Sequence, residues 1–462
     1  MIPTLPPRLP REATPLTLFS RTPPSSLLTP PGARKRRPST RAAQSFHPSR
    51  HAAAHSRRKP RAPSRPLRHH LWLHLCWLVP LLLFDFFFFR WLAASRQRPA
   101  PVATATVAGI PAATTSIVTP ASLPDLPPPP PTPVWQAMAT PTPQQDLLHP
   151  DAPGVLQPTG SGRLVSAKFG STRTRQVGGK FVAIFHEGVD IAATLRDRRG
   201  HATDPIFAVA DGRVAFVNQG AGNSSYGKYI VIEHPDPSLG VWTNASGTVS
   251  TSVVYTLYAH LSDIRFGIRQ DVRVTAGQEI ATMGHTSNTR PPIPDARAHL
   301  HWEIGLMLNS HYDRMSRENK TGNAFGNYNG LNLFGIDALD FYAAHARDPE
   351  LTFGRYLDAL PPAAELILRG RRPDFFSRYP GLWKGPPPDG SPILLAITES
   401  GMPMRGQNAT PEQISALGNA RQAVWKANPA VLGNNARAYV SRATGSWKVT
   451  PAGRTWADAF FY

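Results

Sequence analysis

The stretch His186-Glu187-Gly188-Val189-Asp190 carries two metal-ligand side chains four positions apart. On a helix that spacing sets two ligands one turn apart, and in the motif H-E-x-x-H the glutamate between them is the general base. Gly188 and the β-branched Val189 and Ile191 are poor helix formers, so no helix is expected here. In a straight strand, at about 3.3 Å per residue, His186 and Asp190 would share a face but stand about 13 Å apart, too far to share an ion. One ion can take both only if the chain bends between them, and Gly188 is where bending costs least. A turn is expected.

Two further stretches supply histidines. In "AHLHWEI" strand alternation puts His299, His301 and Glu303 on one face and Leu300, Trp302 and Ile304 on the other. In "YTLYAHLSDI" the same rule groups Thr256, Tyr258 and His260, with Tyr255, Leu257 and Ala259 opposite. Each is weak alone in a chain with 16 histidines. Together they give one aspartate and four histidines on expected strand ends and turns. The only cysteine, Cys76, leaves His, Asp and Glu as ligand types. Catalytic zinc takes three protein ligands and a water, which would leave two histidines to move protons. His201, His234, His285 and His311 are read as structural or surface residues.

The elements that must position these residues begin near Gly160. Runs such as "KFVAIF", "IFAVADGRVAFV", "KYIVIEH" and "SVVYTLYAHL", separated by Gly, Asn, Asp and Pro, predict an all-β domain over residues 159–345. Ser310 to Gly330 is polar, Gly- and Asn-rich, and reads as an inserted loop. Residues 346–462 are expected to form a small, mainly helical C-terminal domain. Its helices would start at Thr410-Pro411 and cover "NNARAYVSRA" and "PAGRTWADAFF", with "SWKVTPAGR" a candidate hairpin.

Upstream the texture is different. Residues 1–70 hold fifteen Lys or Arg against the single acid Glu12, so +14 of the net +20 lies there. A basic tail can bind nucleic acid, but residues 71–94, "LWLHLCWLVPLLLFDFFFFRWLAA", match the length of a membrane span. Positive charge ahead of a first span stays cytoplasmic, so residues 1–70 read as a disordered cytoplasmic tail and no nucleic-acid partner is expected. A cleaved signal peptide is disfavoured because no small-x-small site follows directly. Residues 95–158, rich in Pro, Ala and Thr, read as a linker.

From Gly160 to Tyr342 the chain resembles the lysostaphin-like, or LytM-type, zinc endopeptidases. The resemblance rests on "HEGVDIAA", "PIFAVADGRVAFV", "YGKYIVIEH", "YTLYAHLSDI", "AGQEIATMGHT" and "AHLHWEI" in that order, with both ligand motifs, H-x-x-x-D and H-x-H. It implies an antiparallel β-sandwich whose sheet floors a substrate groove. It further implies one Zn2+ held by His186, Asp190 and His301, with His260 and His299 as the unliganded catalytic pair. Glu187 fills a variable position of the first motif and is not expected to be the general base. The implied activity is hydrolysis of peptidoglycan stem peptides and cross-bridges, from a single-pass anchor in a bacterial inner membrane with the catalytic domain periplasmic. The alternative is a catalytically silent or occluded regulator that binds peptidoglycan or activates other wall hydrolases, with a regulatory protein partner left unidentified. The insertion after "GLMLN" and the long "VWTNASGTVSTSVV" connection depart from the family pattern and would either wall or cover the groove.

Overall fold

A computed structural model describes residues 134–462 apart from 137, 178, 244–245 and 434–435, and these residues all fall in one compact unit. The expected tail (1–70), membrane segment (71–94) and first part of the linker lie outside the described residues. Among the described residues no helix is long and apolar enough to cross a membrane.

The central part is built from antiparallel strands. A hairpin of β1 (Thr172–Val177) and β2 (Lys180–Phe185) leads through a turn to β3 (Val189–Ala192). There follow β4 (Pro205–Phe207), β5 (Gly212–Asn218), β6 (Lys228–Pro235), a side hairpin of β7 (Val241–Thr243) and β8 (Val249–Thr251), and β9 (Val253–Leu261). The short strands β10 (Asp263–Ile264), β11 (Arg273–Val274) and β12 (Glu279–Thr282) precede β13 (His299–Met307) and β14 (Leu333–Ile336). A seven-stranded sheet has the order β11-β5-β6-β9-β13-β14, with β3 pairing the first half of β13, and β10-β12-β4 form a second sheet.

Period-two patterning explains how the sheets stack. On one face Val214, Ile230, Ile232, Tyr258, Leu300, Trp302 and Ile304 are fully buried against Ile206, Ile264, Ile280 and Ala281 of the smaller sheet. The implied mainly β, antiparallel two-sheet architecture is therefore present. The other face of β6, β9 and β13 carries Tyr229, Val231, Tyr255, Leu257 and Ala259 beside His301 and Glu303.

Two expected boundaries need correction. The expected linker ends at residue 158, but the described residues of 134–158 belong to the folded body. Trp135, Leu147, Val155 and Leu156 are buried. Trp135 donates Nε1–H to Asp236 at 2.9 Å and meets Phe341 edge-to-face at 5.4 Å. A few large apolar side chains suffice to dock a proline-rich strip, because each fully buried one contributes about 1.5–3 kcal/mol. The second correction concerns residues 346–462, which are not mainly helical. They hold a four-stranded antiparallel sheet, β17-β16-β15-β18, made of β15 (Ala364–Leu368), β16 (Ile393–Ile397), β17 (Pro403–Asn408) and β18 (Gln422–Ala427). Five-residue apolar runs such as "AELIL" and "ILLAI", flanked by Pro and Gly, are too short for helices. "NNARAYVSRA" ends in β19 (Val440–Ala443), which pairs with β20 (Ser446–Val449) in the hairpin noted at "SWKVT". Two expected helices do form: Pro411–Leu417, with a Thr410–Gln413 capping box, and Pro451–Phe460, capped by Thr450.

This C-terminal part shares one core with the β-domain: Phe375, Phe376, Leu395 and Phe460 belong to the same buried cluster as Trp302. Ser400 Oγ donates to the Gly335 carbonyl at 2.7 Å, and Asn309 Nδ2 to the Ala459 carbonyl at 2.7 Å.

Candidate metal centre

The turn expected between His186 and Asp190 is present, since β2 ends at Phe185 and β3 begins at Val189. It brings His186 Nε2 to 3.0 Å from Asp190 Oδ1. Gly188 is needed for space: a Cβ there would lie 2.5 Å from the Trp302 carbonyl oxygen and 2.9 Å from the His301 ring. Strand β3 pairs with β13 so that Asp190 stands directly opposite His301. His301 Nδ1 lies 3.1 Å from both His186 Nε2 and Asp190 Oδ1. Three donor atoms from three strand ends thus form a small triangle.

This triangle suits zinc. Bonds of about 2.0–2.1 Å at tetrahedral angles put donor atoms about 3.3 Å apart. The outer ring nitrogens make the inner ones available: His186 Nδ1–H donates to the Lys168 carbonyl at 2.8 Å, and His301 Nε2–H to Glu303 Oε1 at 2.8 Å. Both inward nitrogens then present lone pairs, and with Asp190 they repel one another unless a cation sits among them. Among the described residues, His186, Asp190 and His301 are the one group placed to hold a metal.

The remaining two histidines adjoin it. His299 lies two positions before His301 on the same face, with Nε2 3.5 Å from Asp190 Oδ2. The His260 and His299 rings are 4.8 Å apart. His260 Nδ1–H donates to the Thr286 carbonyl at 2.9 Å and His299 Nδ1–H to the Arg297 carbonyl at 2.7 Å, leaving each Nε2 as a lone pair.

His260 reaches this face by a route alternation does not give. Thr256 and Tyr258 point into the core, as the partners of Ile304 and Trp302, so the expected grouping of His260 with them is wrong. The β6–β9 register slips between Lys228 and Ile230, and His260 sits at φ 62°. That left-handed residue turns its side chain onto the face of Ala259 and His301. Opposite it, Gly227 at φ 62° leaves room for the Thr286 carbonyl, which a Cβ would meet at 2.1 Å.

Electrostatics follow from burial. The five side chains are nearly sealed, at 3% (His186), 2% (Asp190), 8% (His260), 6% (His299) and 5% (His301) exposure. Burial pushes His186 down to about 4. Burial, with the nearby His299 and His301, holds His260 well below the usual histidine range, and burial also lowers His299. Both are neutral at pH 7 and able to accept a proton. For Asp190 burial acts upward, but Arg173, His186 and His299 hold it well below the usual carboxylate range. Burial lowers His301 too, yet its bonds to Asp190 and Glu303 raise it to about 9, so without a cation Nδ1 holds a second proton, which a bound metal would displace to take the lone pair.

Several contributors were not singled out by the sequence. Arg173 on β1 donates to Asp190 Oδ2 at 2.5 Å. Tyr226 Oη lies 2.7 Å from Glu303 and 2.9 Å from Glu187. Glu187 forms an ion pair with Arg437. The insertion after β13 contains a helix, Tyr312–Glu318, and then places Phe325 and Tyr328 over Tyr229 and Phe216. Tyr328 Oη also donates to Glu233 at 2.9 Å.

The profile of peptidase family M23 matches residues 184–313, which contain all five site residues. Lipoprotein NlpD of Yersinia enterocolitica is 32% identical over 108 residues, 23% of this chain and 84% of that protein. A zinc-containing peptidase of Vibrio cholerae is 26% identical at a TM-score of 0.20, over 33% of this chain. This chain covers about a third (36%) of that structure's length. The catalytic domain of the antimicrobial peptidase lysostaphin from Staphylococcus simulans is 18% identical at a TM-score of 0.21, over 38% of this chain and 87% of the other. With a relative matched along most of its length and a profile spanning both ligand motifs, the chain belongs to peptidase family M23, in its LytM-like branch.

Proposed function

We propose that this protein is a zinc-dependent endopeptidase that hydrolyses peptide cross-links of peptidoglycan. The observation that carries the reading is the convergence of the lone pairs of His186, Asp190 and His301, with two neutral histidines beside them. A zinc ion held by these three would supply a water of lowered pKa and polarise the scissile carbonyl. His260 and His299 each keep Nε2 unprotonated and directed into the site. One would take the proton of the attacking water at Nε2 and, as the imidazolium so formed, return it to the leaving amine, while the other would hold that water by accepting its second hydrogen. Asp190 offsets part of the metal's charge, and Arg173 fixes its second oxygen.

The remaining parts of the reading concern place and substrate. Residues 71–94 anchor the chain in a bacterial inner membrane with the folded part periplasmic, where the D-alanyl to diaminopimelate cross-link is the natural target. Incubating the full chain, in detergent, with a purified dimeric muropeptide tests this by mass spectrometry. Monomers are expected from the unaltered protein, not from His301→Ala or His299→Ala, with zinc retained only by the latter variant. Monomers from His301→Ala in metal-free buffer would refute the mechanism.

A second reading, an occluded protein that binds wall peptides and regulates other hydrolases, is favoured by the low exposure of the five side chains. Stoichiometric zinc with no cleavage of the dimer would decide for it.

A further inference from the structure

Arg437 comes from the turn before β19, in the C-terminal part, and its side chain is 9% exposed. Its guanidinium lies over two rings, 4.9 Å from the centre of Phe334 and 5.3 Å from that of Phe185, and pairs with Glu187. Phe185 and Glu187 flank His186, and Phe334 lies on β14 beside β13. From Glu187 a continuous chain of contacts leads to the metal centre. Tyr226 Oη stands 2.9 Å from Glu187 Oε2 and 2.7 Å from Glu303 Oε1. Glu303 Oε1 accepts His301 Nε2–H at 2.8 Å, and Tyr255 Oη donates to Glu303 Oε2 at 3.1 Å.

The phenol has one proton and two carboxylates facing it. Were both fully charged, they would repel each other across a single oxygen atom and compete for that proton. Arg437 counters the charge of Glu187. The proton then goes to Glu303, the nearer of the two, which keeps Glu303 aligned on His301. We propose that Arg437 is a positioning residue for the metal centre: by pairing with Glu187 it leaves the Tyr226 proton to Glu303, which holds His301 with Nδ1 directed at the metal. This gives the C-terminal part a role in metal binding, and it rests on the reading of His301 as a ligand.

The role of a bare structural tether makes a different prediction, because Arg437→Gln and Glu187→Gln break the same ion pair. Only Arg437→Gln leaves an uncountered carboxylate next to Tyr226. The zinc dissociation constant of the metal-stripped full chain, measured in detergent by competition with a chromophoric chelator, separates the two. Arg437→Gln is expected to weaken zinc binding by about 10–100-fold, the range for groups that support a ligand. Glu187→Gln and the double variant Glu187→Gln/Arg437→Gln are expected to stay within about threefold of wild type. Circular dichroism and denaturant unfolding of the metal-free proteins report any loss of fold separately. If Arg437→Gln fails to fold, Glu187→Gln alone still decides, since a tether predicts weakening there. Equal weakening in both single variants, or unchanged affinity in Arg437→Gln, overturns the proposal. A wild-type chain that binds no zinc overturns the metal reading itself, whereas tight binding indifferent to Arg437 overturns only this role.

Discussion

Replacing His260 by glycine and by alanine separates strain from chemistry. His260 adopts φ 62° within an otherwise extended strand. A residue with a Cβ pays about 1–2 kcal/mol for that left-handed conformation, and glycine does not. Both variants lose the imidazole and its bond to the Thr286 carbonyl, so those losses cancel between them. Glycine carries an opposing cost of about 0.5–1 kcal/mol from the freedom it gains in the unfolded chain. The difference leaves His260→Gly more stable than His260→Ala by about 0.5–1 kcal/mol. At an ordinary strand position the order is reversed. Denaturant unfolding of the two metal-free proteins measures it directly. Cleavage should fall in both by a similar factor, of order 10²–10⁴ for a lost proton-transfer group. An alanine variant more stable than the glycine variant would refute the claim that the backbone is strained to aim this ring.

Two further predictions concern the fold. Trp135→Ala is expected to cost about 3–5 kcal/mol in denaturant unfolding, because it empties a fully buried site and removes the bond to Asp236; a linker residue would cost nothing measurable. His234 is buried, bonded to the Asp211 carbonyl and Thr256, and pushed down to about 4 chiefly by burial. The unfolded chain takes up this proton near pH 6.5. The histidine's contribution is therefore flat above that pH and is lost as pH falls towards 4, by up to roughly 3 kcal/mol. Unfolding free energies over that range should lose this slope in His234→Gln.

The grouping of His186, Asp190 and His301 was legible because its spacing is local. Two metal-binding side-chain types sit four residues apart, two histidines share a strand face, and the glycine between the first pair announces the bend. Alternation assigned Leu300 and Trp302 to the core, but it failed for His260. A register slip changes which face a residue takes without changing its neighbours in sequence. Composition misled at residues 134–158, where prolines outweigh the few large side chains that dock the strip; the lone Trp135 was the available signal. Capping residues located two helices of the C-terminal part, yet said nothing of the short strands between them. Arg173, Tyr226 and Arg437 are ordinary residue types whose roles come from partners far along the chain, and pairing at that range leaves no local signature.

The shared core has a consequence in time. Synthesis delivers residues in order, so His186, Asp190, His260, His299 and His301 all emerge before Leu395, Arg437 and Phe460. Until those arrive, Trp302 lacks part of its packing, the Asn309 amide lacks the Ala459 carbonyl, and Glu187 lacks its counter-charge. A nascent or clipped chain can therefore hold every ligand and still lack the parts that steady them. Steadying of this site waits on the late-made part of the chain.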